Sequence, residues 1–135
     1  MKKIVFMLFI ALFMATGITL AQQKKTTAEV LYFKANLACC KARACNALES
    51  TVKIIVEKNW TDGKVVFRQV KLSDTLNNEL IKKYNAQSQT LIIVVKKKKK
   101  ESSTDVSGML RDYATTNDAV KFEKELTDKI NEVIK

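Results

Sequence analysis

Three apolar runs of strand length, separated by segments of helix length, constrain the fold of this chain more than any other feature. The runs are Val30–Phe33, Val65–Phe67 and Leu91–Val95. Between the first two, apolar residues recur at helical spacing from about Lys41 to Asn59, which predicts a helix linking two strands. Two strands joined through a helix pair in parallel, because the crossover returns the chain to the same edge of the sheet.

The rest of the pattern completes one α/β domain. Ser73 or Asp74 can cap a short second helix that ends near Tyr84. The run Leu91–Val95 is apolar throughout and predicts a central strand. A weaker fourth strand at Val106–Tyr113 would pair with it as an antiparallel hairpin. The predicted order is βαβαββα, which gives a four-stranded mixed sheet flanked by helices. The last helix begins near Asn117, and its apolar face consists of Val120, Phe122, Leu126, Ile130, Val133 and Ile134.

The first 21 residues have the pattern of a secretory signal peptide. Lys2 and Lys3 precede an apolar run, and small residues end the segment at Ala21. We expect cleavage after Ala21, which leaves a polar linker at residues 22–28, a domain at residues 29–135 and no stable membrane span. The alternative is an uncleaved anchor, since Ile4–Leu20 is at the short limit for crossing a bilayer. Both predict a periplasmic or secreted bacterial protein, in a compartment where cysteines can form disulfides.

Composition excludes several classes of site. The 135 residues include no His and no Pro, and only three Gly. A chain without His has no Ser-His-Asp or Cys-His nucleophilic site and no His-ligated zinc or haem. Glycine-rich phosphate-binding loops are also excluded. We therefore expect no metal site built on His and no cofactor bound by this chain alone.

The formal net charge is +10, and part of it comes from five consecutive lysines, Lys96–Lys100. A basic run can bind nucleic acid or a membrane surface. Here it directly follows an apolar strand and precedes a polar segment, which favours a solvated hairpin loop. Lysines in that position would also hinder aggregation through the strand edge. We expect no nucleic-acid partner.

All three cysteines lie within seven residues, at the predicted junction between the first strand and the first helix. They are Cys39, Cys40 and Cys45. A helix N-terminus carries partial positive charge and unpaired N–H groups, so it stabilises a thiolate. Lys41 and Arg43 add positive charge to the same stretch. The cluster therefore predicts a site of thiolate chemistry.

The cysteines leave several arrangements open. Three single disulfides can be drawn, and the vicinal Cys39–Cys40 bridge fits disulfide geometry least well. A Cys40–Cys45 bridge can form if Cys40 lies in the loop and Cys45 in the first helical turn. Such a bridge can be redox-active or structural. Alternatively, three thiolates suit a soft ion such as Cu(I) or a trivalent metalloid. Glu49, one helical turn after Cys45, is predicted to be a solvent-facing carboxylate.

The strand Val30–Phe33, the cysteine stretch opening a helix, the second βα unit, the hairpin and the closing helix together resemble the thioredoxin-like superfamily. A closer resemblance is to the small exported nitrophenyl-compound nitroreductase subunit (ArsF-like) family. It lies in Leu-Tyr-Phe-Lys-Ala-Asn at residues 31–36, in Cys45–Glu49 and in Leu91–Val95. Members of that family tend to carry a Cys-x-x-Cys-Lys-Ala-Ile-Glu-like segment, and Cys45 matches its second cysteine.

The resemblance implies thiol–disulfide exchange or electron delivery to a protein redox partner, either as an oxidoreductase or as a redox subunit of a reductase. Cys40 would be the nucleophile and Cys45 the resolving thiol. Cys39 would be an auxiliary thiol, or the nucleophile if the register shifts by one residue. Any flavin would come from the partner.

The chain departs from the thioredoxin-like pattern in two respects. Four residues separate Cys40 from Cys45 instead of two. Gln89 and Thr90 stand where thioredoxin-like proteins place a cis-proline, and we expect the peptide bond at Gln89 to be trans. The competing interpretation is a non-enzymatic binding module, with a structural disulfide or a three-thiolate soft-ion site.

Overall fold

The computed structural model describes residues 27–37 and 39–135, and at Cys39 and Cys40 it describes the backbone alone. The predicted signal peptide and all but the last two residues of the predicted linker lie outside this range. The elements in chain order are β1 (Ala28–Lys34), α1 (Cys39–Asn59), β2 (Val65–Lys71), a 3-10 turn (Thr75–Asn77), α2 (Asn78–Lys83), β3 (Leu91–Lys97), β4 (Lys100–Asp105), α3 (Ser107–Thr116) and α4 (Ala119–Ile134).

The four strands form one mixed sheet in the order β2-β1-β3-β4. As predicted, β1 and β2 are parallel, and they are joined through α1. β3 runs antiparallel to both of its neighbours, β1 and β4. β3 is therefore an interior strand, which explains why its sequence from Leu91 to Val95 is apolar on both faces.

Helices cover both faces of the sheet, and each face has its own core. Alternate strand residues point to opposite faces, so Tyr32 and Ile93 join one core while Phe33 and Ile92 join the other. The helices α1, α3 and α4 contribute buried residues to the first, which we call the large core, and it contains seventeen buried residues. The second, the small core, contains five, with side chains from around α2 packed against them.

The predicted fourth strand at Val106–Tyr113 is wrong. β4 is the preceding polar segment, Lys100–Asp105, and the chain from Ser107 to Thr116 is helix α3. The missed signal is the spacing of Val106, Met109, Leu110 and Tyr113, which is a helical i, i+3, i+4, i+7 pattern. All four residues belong to the large core or pack against it.

The lysine run also differs from the predicted solvated loop, because most of it belongs to two paired strands. Lys96 and Lys97 belong to β3, Lys100 begins β4, and only Lys98 and Lys99 form the turn. β3 is paired on both sides, so these lysines do not guard the free edge of an apolar strand.

Other predictions hold with small differences. Asp74 caps the segment before α2, where its side chain accepts a hydrogen bond from the Leu76 N–H. The closing helix α4 buries the predicted face, except that Val120 is 81% exposed. β1 begins at Ala28, the last residue of the predicted linker. Within residues 27–37 and 39–135, no helix is long and apolar enough to cross a membrane.

Candidate functional site

The site lies where the carboxyl end of β1 meets the start of α1 and the loop before β3. Helix α1 begins at Cys39, with Cys40 and Lys41 following in its first turn and Arg43 close behind. No acidic residue occupies the first turn. Lys41 is exposed and Arg43 is also exposed, so both cations border the helix start in solvent. This is the cationic helix terminus that the sequence predicts, and such a terminus stabilises a thiolate.

Cys45 lies deeper, in the second turn of α1, and only 2% of it is exposed. It is a free thiol. The side-chain amide of Gln89 lies with its Nε2 3.0 Å from the Cys45 Sγ and can donate to it. The Ser88 hydroxyl oxygen is 3.9 Å from the same sulfur. The Cys45 side chain therefore lies between α1 and the loop that precedes β3.

The helical start at Cys39 contradicts the expectation that Cys40 lies in a loop and Cys45 in the first turn. In a regular α-helix, Cα atoms five residues apart are about 8.7 Å apart, and those six apart are about 10 Å. A disulfide needs Cα atoms within about 7 Å. While the first turn of α1 is helical, neither Cys39 nor Cys40 can therefore bridge to Cys45. The residue one turn before Cys45 is Ala42.

The loop before β3 faces the start of α1, since the Gln89 amide contacts the Cys45 sulfur. No described peptide bond is cis, so Gln89 is trans as predicted, and it adopts a left-handed φ of 67°. Its backbone N–H donates to the Phe33 carbonyl at 2.9 Å, and the Phe33 N–H donates to the Thr90 carbonyl at 2.9 Å. The Thr90 hydroxyl accepts from the Gln87 N–H at 2.9 Å. Gln89 thus contacts the cysteine, whereas Thr90 fixes the loop.

Glu49 is not the solvent-facing carboxylate that the sequence predicts. Its side chain is only 17% exposed, and its two oxygens accept from the Lys34 ammonium and the Gln69 amide, each at 2.7 Å. Lys34 is the last residue of β1 and Gln69 lies on β2, so the carboxylate ties α1 to two strands. The only sequence signal was its position one helical turn after Cys45.

Tyr32 forms the buried floor of the site. Its hydroxyl donates to the Cys45 carbonyl at 3.0 Å. Burial raises the pKa of the Tyr32 phenol well above its ordinary value of 10.0, and the nearby Cys45 and Glu49 raise it further. The phenol is therefore a neutral hydrogen-bond donor at any physiological pH.

A pocket of about 250 Å³ opens beside Cys45. That volume is smaller than the usual range for small-molecule sites, which begins at about 300 Å³. Among the described side chains, no group of three His, Cys, Asp or Glu residues is placed to hold a metal ion. The pocket is lined by Lys34, Ala35, Asn36, Leu37, Ala42, Cys45 and Asn46.

No protein-family model matches this chain, and no curated protein matches it. One solved structure, described as "Structure of a malarial protein", is 23% identical in sequence. The alignment covers 74% of this chain and 97% of that one, with a TM-score of 0.41. This likeness is too weak to support an assignment of fold or function.

Proposed function

We propose that this chain is an exported thioredoxin-like protein that exchanges disulfides with a partner protein through the cysteines of α1. The strand order and the β1-α1-β2 crossover support the thioredoxin-like assignment. So does the position of the loop before β3 opposite the helix that carries the cysteines. Helix α3, inserted between the hairpin and the closing helix, is an addition to the expected βαβαββα order.

The observation that carries the proposal is the 3.0 Å contact between the Gln89 amide and the Cys45 sulfur. It joins the two segments that the resemblance implies for redox chemistry, the cysteine helix and the counterpart of the cis-proline loop.

The exchange needs no cofactor. The Cys40 thiolate attacks a partner disulfide, forms a mixed disulfide and releases one partner sulfur as a thiolate. Cys45 then loses its proton and attacks the Cys40 sulfur, which releases the second partner sulfur. The chain is left with a Cys40–Cys45 disulfide, the partner gains two thiols, and two electrons have moved. Run in reverse, the same steps oxidise the partner.

The second step requires the first turn of α1 to unwind, because regular helical spacing holds Cys40 and Cys45 too far apart. In this proposal, the described conformation, with Cys45 as a free thiol, corresponds to the reduced protein. Unwinding one turn breaks about three backbone hydrogen bonds at about 1 kcal/mol each. That cost opposes the disulfide and raises its reduction potential by roughly 60 mV.

The test is a count of thiols across a glutathione redox titration, made on the chain that begins at Gln22. Alkylation followed by mass spectrometry assigns each cysteine. We expect Cys40 and Cys45 to become protected together, at a potential between about −180 and −260 mV. Cys40→Ser and Cys45→Ser should each abolish the protection, whereas the matched variant Cys39→Ser should retain it. Circular dichroism should record the loss of about one helical turn on oxidation.

Two results would contradict the proposal. One is that all three thiols stay free in oxidising glutathione. The other is a bridge that resists reduction below about −300 mV, which is the behaviour of a structural disulfide in a binding module.

A further inference from the structure

The hairpin that joins β3 to β4 presents a dense patch of positive charge. We call residues Lys96–Lys100 the lysine hairpin. Lys96 pairs with Glu29 at 3.2 Å, and the neighbouring Glu101 is bound by Lys83. Among the described residues, the other four lysines of the hairpin form no ion pair, and all are exposed. The two acidic groups near the hairpin are therefore already engaged, and four lysine charges face solvent.

The conformation of the turn does not explain why lysines occupy it. Lys98 has a left-handed φ of 51°, a region that Gly and Asn adopt at lower cost in a two-residue hairpin turn. Protection of a strand edge accounts for Lys100 alone, which begins the edge strand β4, since β3 is paired on both sides. The positive charge itself is the property that these positions have in common.

The lysine hairpin lies where the amino-terminal segment enters the fold. The Lys96 N–H donates to the Thr27 carbonyl at 2.9 Å, so the first described residue is bonded to the base of the hairpin. In the sequence, Lys24 and Lys25 immediately precede this point, and the segment before them has the pattern of an export signal. The proposed export would bring this protein past the surface of an anionic bilayer.

The hairpin and the candidate site lie at opposite ends of the sheet. β1 pairs with β3 so that Ala28 faces Val95, near the hairpin, while Tyr32 faces Leu91, near the site. The seven residues of β1 span about 20 Å. A surface that bound the lysine hairpin would therefore leave Cys45 and its loop on the far side, accessible to a partner.

We propose that the lysine hairpin docks this domain on the surface of a bilayer that contains anionic phospholipids, with the cysteine end directed away from the membrane. Lysine ammonium groups attract the negative surface of such a bilayer, and each lysine near the surface adds to the attraction. The binding is electrostatic, so it weakens as salt screens the charges.

The test is sedimentation of the chain that begins at Gln22 with phospholipid vesicles. This chain contains every residue of both cores. We expect binding to phosphatidylcholine vesicles that hold about 30% phosphatidylglycerol, and none to phosphatidylcholine alone. Replacing Lys97–Lys100 with Gln should weaken binding at least about tenfold. About 0.5 M salt should release the wild-type protein, because the screening length falls below 5 Å.

A control variant separates a local patch from net charge. It replaces four exposed lysines outside the hairpin with Gln, and we expect it to bind within about twofold of wild type. An equal loss in both variants would overturn the proposal, as would failure of the wild type to bind anionic vesicles. Tighter binding to a DNA duplex than to the vesicles would overturn it too. The control positions are Lys53, Lys71, Lys82 and Lys124.

Discussion

The hydrophobic cores on the two faces of the sheet differ greatly in size. The large core gathers seventeen buried residues under α1, α3 and α4, whereas the small core holds five beside the six-residue helix α2. Tyr32 belongs to the large core, and Cys45 lies on α1, one of the helices that cover it. Gln89 lies on the loop between α2 and β3, and two residues at the start of that loop, Tyr84 and Ala86, pack against the small core. The candidate site therefore joins a heavily packed body to a lightly packed loop, and local motion should come mainly from the loop.

The largest expected effect compares two neighbours on β3 that point to opposite faces. Ile93 is 0% exposed in the large core and Ile92 is 3% exposed in the small core. We expect Ile93→Ala to lower the free energy of unfolding by about 4 kcal/mol and Ile92→Ala by about 2 kcal/mol, because the lighter side can relax into the cavity. Urea unfolding of both variants measures the difference. Equal losses would remove the distinction between the faces.

A substitution under α2 should loosen the site without unfolding the domain. Leu80 packs against the small core, and the loop after α2 is tied back by the Ala86 N–H, which donates to the Ile81 carbonyl at 2.9 Å. We expect Leu80→Ala to cost about 1–2 kcal/mol and to speed native-state alkylation of Cys45 several-fold through local opening. Val133→Ala, on the large side, is the control. If it speeds alkylation equally, the loop is not the mobile part.

Removing the hydroxyl of Tyr32 should have a smaller effect. Tyr32→Phe loses the bond to the Cys45 carbonyl, which we expect to cost about 1 kcal/mol because the helix still uses that carbonyl. Because the pKa of the Tyr32 phenol is raised in the folded protein, the unfolded chain loses this proton at a lower pH than the folded chain does. The stabilisation by the Tyr32 hydroxyl is complete below pH 10 and declines above it. Above pH 10, the free energy of unfolding should therefore fall less steeply for Tyr32→Phe than for the wild type. Urea unfolding at pH 8 and above pH 10 measures both effects.

Tyr113→Phe is the matched control for that experiment. It keeps the ring that stacks on Phe122 at 4.8 Å and removes a hydroxyl with no described hydrogen-bond partner. A loss of stability in this control as large as that of Tyr32→Phe would contradict the buried hydrogen bond as the cause.

The smallest effect is expected at the surface between α1 and α4. The Lys58 ammonium lies 2.8 Å from a Glu123 oxygen, and hydrogen bonds from Lys58 and Asn59 lower the pKa of that carboxyl. A carboxyl whose pKa is lowered in the folded protein stabilises the fold at pH values above its ordinary pKa. This contribution to stability is lost as the pH falls. Lys58 is exposed and Glu123 is partly exposed, so solvent screens the pair, and Lys58→Gln should leave the unfolding midpoint at pH 7 unchanged within error. A clear shift would show that the two helices depend on this pair.

Periodicity predicted most of the fold because the buried faces of strands and amphipathic helices appear in the sequence as apolar residues at regular spacing. The parallel pairing of β1 with β2 and the interior position of β3 follow from that pattern. It failed at β4, whose residues are polar because the strand is an edge, and at α3, whose apolar spacing was assigned to a strand. The position of the cysteines at the start of the first helix was predicted but their geometry was not, since nothing local indicates that α1 begins before Cys40. The Lys34–Glu49–Gln69 contacts join three elements, and no short-range pattern encodes them.

The backbone at Gln89 has a consequence for how this sequence can change. Its N–H donates to the Phe33 carbonyl, and its φ is 67°. Proline has no N–H and fixes φ near −65°, so a single substitution at this position would break the hydrogen bond and require the opposite backbone twist. A proline at position 89 therefore requires this loop to adopt a different backbone, so the substitution would have to be accompanied by changes elsewhere in the loop.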